Sequence, residues 1–67
     1  MASLEESIES KISDVEAAGG TVLDFTVKML SISEYEVTYY IKNADGTTTT
    51  EVKKYKKIAI NNVIEIS

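Results

Sequence analysis

The chain has 67 residues, a net charge of -4, and neither cysteine nor histidine. Without cysteine, disulfides and thiolate metal sites are excluded, and without histidine the chain lacks the commonest metal ligand and general base. A domain this small buries only roughly 60% of its unfolded surface, so we expect it to gain stability by self-association. No apolar run approaches the ~18 residues of a membrane span and no secretory signal is visible, which predicts a cytoplasmic protein without membrane contact.

The net negative charge of the chain comes entirely from its first part. Residues 1–18 hold five acidic residues against Lys11, whereas six acidic residues and six lysines balance each other from residue 19 onward. Four of those lysines lie close together: Lys53, Lys54, Lys56 and Lys57. Because clustered basic surface is the usual footprint of a nucleic-acid-binding protein, this cluster favours such a function, although the overall charge opposes it.

Residues 4–18 are predicted to form an amphipathic helix. Apolar residues recur there at helical spacing: Leu4, Ile8, Ile12 and Val15. Ser3 and Glu6 have the spacing of a capping box, in which each side chain bonds the backbone N–H of the other residue. Gly19 and Gly20 then supply a stop for the helix. We interpret the acidic face of this helix as a solvated surface.

From Gly20 onward the sequence alternates in the manner of β-strands. A half-buried strand is predicted where apolar residues occupy every second position: Leu23, Phe25, Val27 and Met29. Residues 35–42 repeat this pattern, and 47–60 are rich in β-branched residues. We therefore predict a single domain over residues 1–67, mainly β, with a helix followed by four or five antiparallel strands over about 21–66. A strand as long as the last must bend in so small a domain, which favours a sheet that curls into a barrel.

The segment Asn43–Gly46 is predicted to be the turn of a hairpin. If Asn43 faces Thr47, the hairpin aligns two charge pairs and one aromatic pair: Glu36 with Lys54, Glu34 with Lys56, and Tyr35 with Tyr55. Such cross-strand pairs stabilise a sheet, and a slip of one residue would break all three. The sequence therefore predicts this register for the hairpin.

The sequence offers no catalytic site, and we predict that the chain is not an enzyme and binds no cofactor or metal. Its serines lie in no recognisable motif, and its glycines form no phosphate-binding loop. Glu34 and Glu36 lie two positions apart on one strand face, as a pair of catalytic carboxylates would. Because lysines are predicted to face both, we interpret them as part of a solvated ladder of ion pairs.

The segment Lys56–Ile64 reads K-K-I-A-I-N-N-V-I. It resembles the near-terminal pattern Y-K-H-A-I-S-T-V-V of Hfq proteins, which are bacterial members of the Sm-like family. It also resembles the second Sm motif, I-R-G-N-N-V-x-x-I, with matches at Asn61, Asn62, Val63 and Ile66. Upstream, Val37–Asn43 is similar to the strand F-V-I-L-L-K-N of the Hfq proteins. The order of these segments, behind an N-terminal helix, is that of the family.

This resemblance implies a fold, a partner and a site. Sm-like chains fold into a helix and five strongly bent antiparallel strands that close into an SH3-type barrel, and their subunits form rings by strand pairing. The resemblance thus implies a homo-oligomeric ring of about five to seven subunits that binds single-stranded RNA or DNA, RNA being expected, in nucleic-acid processing or regulation. Contacts to the nucleic acid are expected from five residues: Tyr35, Lys56, Lys57, Asn61 and Asn62.

The chain departs from the family in three places. Ile58 stands at the position of the Hfq histidine, and Ala59-Ile60 replaces Arg-Gly. The family has two strands where this chain has residues 20–34. Either two very short strands lie there, or the register differs and Asn43–Gly46 joins the second and third strands.

An alternative function is that of a non-catalytic protein-interaction or assembly module, with a helix on a curved antiparallel sheet. The acidic charge and the missing Arg-Gly pair favour it. Such a module would use a strand edge and its tyrosines against a partner. Tyr40 and Val52 are predicted to lie on the face opposite Val37 and Tyr39, and apolar residues on both faces of one hairpin indicate further burial, against another subunit for example.

Overall fold

One α-helix and a four-stranded antiparallel sheet form the fold, in a computed structural model that describes residues 2–66. The elements are α1 (Leu4–Ala17), β1 (Thr21–Met29), β2 (Glu34–Lys42), β3 (Thr48–Ala59) and β4 (Asn62–Glu65). Each strand pairs with the next along the chain, so the order across the sheet is β1-β2-β3-β4. The prediction of a mainly β chain with an N-terminal helix is confirmed. Within residues 2–66 the sheet is open, with β1 and β4 at its edges, and it does not close into a barrel.

The helix begins at the predicted capping box. The Ser3 hydroxyl accepts a hydrogen bond from the Glu6 N–H, and the Glu6 carboxylate accepts one from the Ser3 N–H, both at 3.1 Å. The pKa of Glu6 is lowered, first by the hydrogen bond from the Ser3 backbone and then by the hydrogen bond with the Ser3 side chain, because both favour the ionised carboxylate. Gly19 ends the helix with a left-handed φ of +87°. A Cβ on Gly20 would lie 2.9 Å from the Lys42 carbonyl oxygen, so glycine is needed there for the chain to approach β2.

The core lies between α1 and one face of the sheet. Within residues 2–66 its buried apolar members are Ile8, Val37, Tyr39, Ile41, Tyr55 and Val63. Leu4, Ile12 and Val15 pack against them, so the predicted apolar stripe of the helix faces the sheet. The hydroxyls of Tyr39 and Tyr55 lie 3.2 Å apart and share a hydrogen bond, which satisfies two buried polar groups.

The hairpin of β2 and β3 has the predicted register. The Asn43 N–H donates to the Thr47 carbonyl at 2.7 Å, and Gly46 has a left-handed φ of +88° in the turn. The predicted cross-strand pairs are all present: Glu36 with Lys54, Glu34 with Lys56, and Tyr35 with Tyr55. Local pairing preferences therefore predicted this part of the sheet correctly.

The strand β1 is one continuous strand, and it is more exposed than predicted. Because a single strand lies between α1 and β2, the turn Asn43–Gly46 joins the second and third strands, which is the second of the two arrangements considered above. The alternation predicted a half-buried strand, but its four apolar residues are between 40% and 66% exposed: Leu23, Phe25, Val27 and Met29. The reason is that α1 begins beside β4 and ends at the start of β1, so it leaves the far end of β1 uncovered.

Tyr39 is expected to make the fold sensitive to alkaline pH. Burial, and then the hydrogen bond with Tyr55, raises the pKa of its hydroxyl, because the ionised form would lose its water. The resulting stability is complete below the unfolded-state pKa of about 10 and is lost as the pH rises above it, by up to about 1.4 kcal/mol per pH unit. Urea unfolding at increasing alkaline pH should show a steeper loss for the wild type than for Tyr39→Phe. Equal slopes would contradict this prediction.

Candidate nucleic-acid interface

Four of the five residues expected to contact nucleic acid line one cleft. It lies beside the N-terminus of α1, at the corner of the sheet where β2 begins and β3 ends, and its volume is about 380 Å³. We name it the Asn61 cleft, and its lining residues are Ser3, Leu4, Glu5, Tyr35, Lys57, Asn61, Asn62 and Val63. The fifth expected residue, Lys56, does not line this cleft.

Hydrogen bonds between distant parts of the chain hold the walls of the Asn61 cleft together. The Lys57 N–H donates to the Ser33 carbonyl at 2.7 Å, which fixes the end of β3 beside the start of β2. The Val63 N–H donates to the Ala2 carbonyl at 2.8 Å, which fixes the start of β4 beside α1. Residues that are far apart in the sequence therefore share one surface.

The two asparagines lie at the turn between β3 and β4. Ala59 pairs with Asn62, so Ile60 and Asn61 form a two-residue turn. Asn61 has a φ of +61°, a left-handed conformation that asparagine tolerates better than most other residues. The Asn62 side-chain amide donates to the Ile60 carbonyl at 3.3 Å and so supports the turn. The exposed Asn61 side chain presents two donors and an acceptor to the solvent.

Tyr35 and Lys57 supply the other functional groups of the Asn61 cleft. Tyr35 is half-buried and packs against the core, whereas Lys57 is exposed. The ion pairs within residues 2–66 are Lys11 with Glu51 and Lys53 with Glu65, so the Lys57 ammonium forms none in that part of the chain. The cleft thus combines an aromatic ring, an ammonium group and two amides, with the acidic side chain of Glu5 on its helix side.

The lysine cluster is divided between the two faces of β3, because successive residues of a strand point to opposite sides. Lys53 and Lys57 lie on the helix-facing side, and Lys54 and Lys56 lie on the other. Lys53 donates to Glu65 at 3.3 Å, and this bond raises the pKa of the lysine. Lys56 lies between Glu34 and Ile64 in the sheet. The four lysines therefore do not form one basic patch, and Lys56 lies on the face opposite the cleft.

The helix side of the cleft, formed by Ser3, Leu4 and Glu5, was not predicted. These residues reach the site because Ala2 bridges Val63, at the far end of the chain, and no local pattern in the sequence signals that contact. A capping box predicts where a helix begins but not what its first turn packs against. The residues named from the resemblance therefore lie on the strand side of the cleft, and its helix side had no prediction.

No cluster of three or more metal-ligating side chains is found in residues 2–66. In the same part of the chain, α1 is too short and too polar to span a membrane. Comparisons with models of protein families, with curated proteins and with solved structures find no match to this chain.

Proposed function

We propose that this chain is a non-catalytic module that binds single-stranded nucleic acid, with RNA the expected form, in the Asn61 cleft. The observation that supports this function is that Tyr35, at the start of β2, lines one cleft together with Lys57, Asn61 and Asn62, at the end of β3 and the turn into β4. Single strands are held by aromatic rings that stack on bases and by basic groups that contact phosphates. Side-chain amides can in addition hydrogen-bond the edges of an unpaired base.

The dimensions of the cleft fit one nucleotide at a time. Its volume of about 380 Å³ is near the lower end of the range of roughly 300–1,000 Å³ for small-molecule sites. An unstacked base of a single strand can lie against the Tyr35 ring, whereas a base within a duplex is covered by its neighbours. Glu5 repels phosphate, so we expect the backbone of the bound strand to run on the Lys57 side.

The resemblance to Sm-like proteins adds a finer proposal, which rests on that resemblance alone. In it the sheet closes into a barrel on assembly, and about five to seven subunits form a ring. Each subunit would offer one edge strand to the next, and the edge strands here are β1 and β4. Light scattering behind a sizing column would then give the mass of at least five subunits. A smaller mass would reject the ring without bearing on the Asn61 cleft.

Lys57→Ala is expected to weaken binding to single-stranded oligonucleotides and to reduce its dependence on salt. For single strands, each phosphate contact contributes about 0.7 to the slope of log K against log salt concentration. Loss of the Lys57 contact should therefore lower that slope by about the same amount. Fluorescence anisotropy with labelled oligo-U, oligo-A and the matching DNA strands measures both the affinity and the slope.

The matched control for this experiment is Lys42→Ala. It makes the same change in charge at the end of β2, where Lys42 lies opposite Thr21 and Thr48 and away from the Asn61 cleft. We expect it to bind with the slope of the wild type. Equal losses in the two variants would assign the effect to net charge rather than to the cleft. Wild-type binding that is absent or independent of salt would refute the nucleic-acid proposal.

A second candidate function, that of a protein-interaction or assembly module, is favoured by the exposed edge strand β1. Phe25, Val27 and Met29 present exposed apolar side chains on one side of this strand, and Leu30 and Ile32 in the loop that follows are exposed as well. Single exposed apolar residues are normal in proteins, but contiguous groups mark interaction sites. In this function the open edge of the sheet recruits a partner by strand pairing.

A further inference from the structure

We infer that two copies of this chain dimerise by pairing their β1 edges in antiparallel fashion. The two-fold axis passes through Thr26, and Asp24 of each copy faces Lys28 of the other. This inference rests on the second proposed function and names its partner, which is a second copy of the chain. It does not involve the Asn61 cleft, which lies beside β4.

The backbone of β1 has hydrogen-bonding groups on its free edge. The Leu30 N–H donates to the Glu34 carbonyl at 2.8 Å, in register with the ladder between β1 and β2. In an antiparallel ladder alternate residues bond to the neighbouring strand. The N–H and C=O groups of Phe25, Val27 and Met29 therefore point away from β2. An antiparallel second copy with Thr26 on the axis pairs the groups of Phe25 with those of Val27 of the second copy.

The same three residues carry the apolar side chains that α1 leaves exposed. They lie on the helix-facing side of the sheet, since Val27 pairs with the buried Val37 of the neighbouring strand β2. Residues that face each other across antiparallel strands share one face of the sheet. The helices of both copies therefore lie on the same side, and Phe25 and Val27 of the two copies form one apolar stripe between them. Pairing removes this stripe from water, which stabilises the dimer.

Charge selects among the registers that the backbone allows. With Thr26 on the axis, Asp24 faces Lys28 of the second copy, and symmetry makes this pair twice. With Val27 on the axis, Lys28 faces Thr26 of the second copy and no such pair forms. With Lys28 on the axis, two lysines face each other, which is unfavourable. Charge complementarity therefore favours the axis through Thr26.

In the single chain, the side chain of Asp24 accepts a hydrogen bond from a backbone N–H on this edge. Its Oδ1 accepts a hydrogen bond from the Phe25 N–H at 2.8 Å. In the dimer the carbonyl of Val27 of the second copy accepts from that N–H, and the Asp24 carboxylate turns to Lys28 of the second copy. The irregularity between Val22 and Asp24 interrupts the ladder, so the paired segment begins at Asp24 in each copy and, by symmetry about Thr26, ends at Lys28.

The opposite edge of the sheet is less suited to such pairing. On β4 the Val63 N–H already donates to the Ala2 carbonyl at 2.8 Å, so the N-terminal segment covers part of that edge. A contact between two β1 edges joins identical surfaces and closes on itself as a dimer. A ring, in contrast, requires both β1 and β4 of every subunit.

Charge reversal tests the pairing, with sedimentation velocity of the full chain at low salt as the measurement. Asp24→Lys and Lys28→Asp each turn both ion pairs into like-charge pairs, so each should weaken the dimer at least about tenfold. An equimolar mixture of the two variants restores opposite charges across the interface, and we expect a heterodimer of wild-type affinity. Lys42→Asp makes the same charge change as Lys28→Asp, but on the neighbouring strand β2, and this variant should dimerise like the wild type. Circular dichroism shows whether each variant is folded.

Amide hydrogen exchange of the wild type gives a second readout that needs no variant. The Val27 N–H should exchange slowly where the dimer forms and rapidly after dilution, whereas the Met29 N–H lies beyond the paired segment and should exchange rapidly in both states. A wild type that stays monomeric, or a mixture that fails to recover the dimer, overturns the inference. Self-association that charge reversal does not change also overturns the inference, and so does a ring of five or more subunits. Both of these outcomes leave the assembly function in place.

Discussion

Tyr39→Ala is expected to lower the free energy of unfolding by about 3–5 kcal/mol, the range typical for truncation of a buried aromatic side chain. The side chain of Tyr39 is 0% exposed, and its ring centroid lies 6.5 Å from that of Phe25. Truncation leaves a cavity under α1 and also leaves the Tyr55 hydroxyl without its partner. A chain of this length has a total stability of only about 3–10 kcal/mol. The substitution should therefore remove at least about a third of the stability and lower the unfolding temperature markedly.

Tyr40→Ala is the matched control, because Tyr40 is the next residue on β2, on the opposite face, and is 40% exposed. We expect its loss to stay below about 1 kcal/mol. Tyr39→Phe keeps the ring and loses only the hydrogen bond, which should cost about 1 kcal/mol. Thermal unfolding followed by circular dichroism measures the stability of all three variants. For a domain of this size, each kcal/mol of lost stability lowers the Tm by roughly 4–8 °C. Similar losses for Tyr39→Ala and Tyr40→Ala would contradict a core on the helix-facing side.

The β2–β3 hairpin could be predicted from the sequence because its determinants are local. Asn43 and Gly46 fix the turn, and once Asn43 faces Thr47 the remaining pairs follow by counting along two strands. The start of α1 was predictable for the same reason, since the capping box needs only Ser3 and Glu6. Features that depend on residues a few positions apart are specified by short-range rules.

The burial of β1 and the shape of the sheet could not be predicted in this way. Alternation predicts that Phe25, Val27 and Met29 share a face, but it does not show what covers that face. Coverage depends on the direction in which α1 crosses the sheet, which the long-range contact between Ala2 and Val63 helps to set. Whether β1 and β4 meet is equally a matter of sheet curvature over the whole chain.

The candidate site was predictable in part. The resemblance of the terminal segment pointed to Lys57, Asn61 and Asn62, and the structure places them with Tyr35 around one cleft. Lys56 and Lys57 were both expected in the site, although strand alternation alone would have placed them on opposite faces of the sheet. The helix wall depends on contacts across the whole chain and had no sequence signal.

Tyr35→Leu is expected to weaken the proposed single-strand binding by about fivefold or more, because stacking of a base on an aromatic ring contributes roughly 1–3 kcal/mol. Leucine retains an apolar side chain where Tyr35 packs against the core, so the fold should remain. Tyr35→Phe retains the ring and should bind nearly as the wild type does. Fluorescence anisotropy with oligo-U and oligo-A gives the affinities, and circular dichroism confirms that the variants are folded.

The salt dependence separates the role of Tyr35 from that of Lys57. Stacking releases no counterions, so Tyr35→Leu should lower the affinity at every salt concentration and leave the slope of log K against log salt concentration unchanged. Lys57→Ala, in contrast, should change that slope. Tyr40→Leu, on the opposite face of β2, serves as the control for loss of a tyrosine. If Tyr35→Leu and Tyr40→Leu bind equally well, the base does not stack on Tyr35, and the nucleic acid is held elsewhere on the protein or by charge alone.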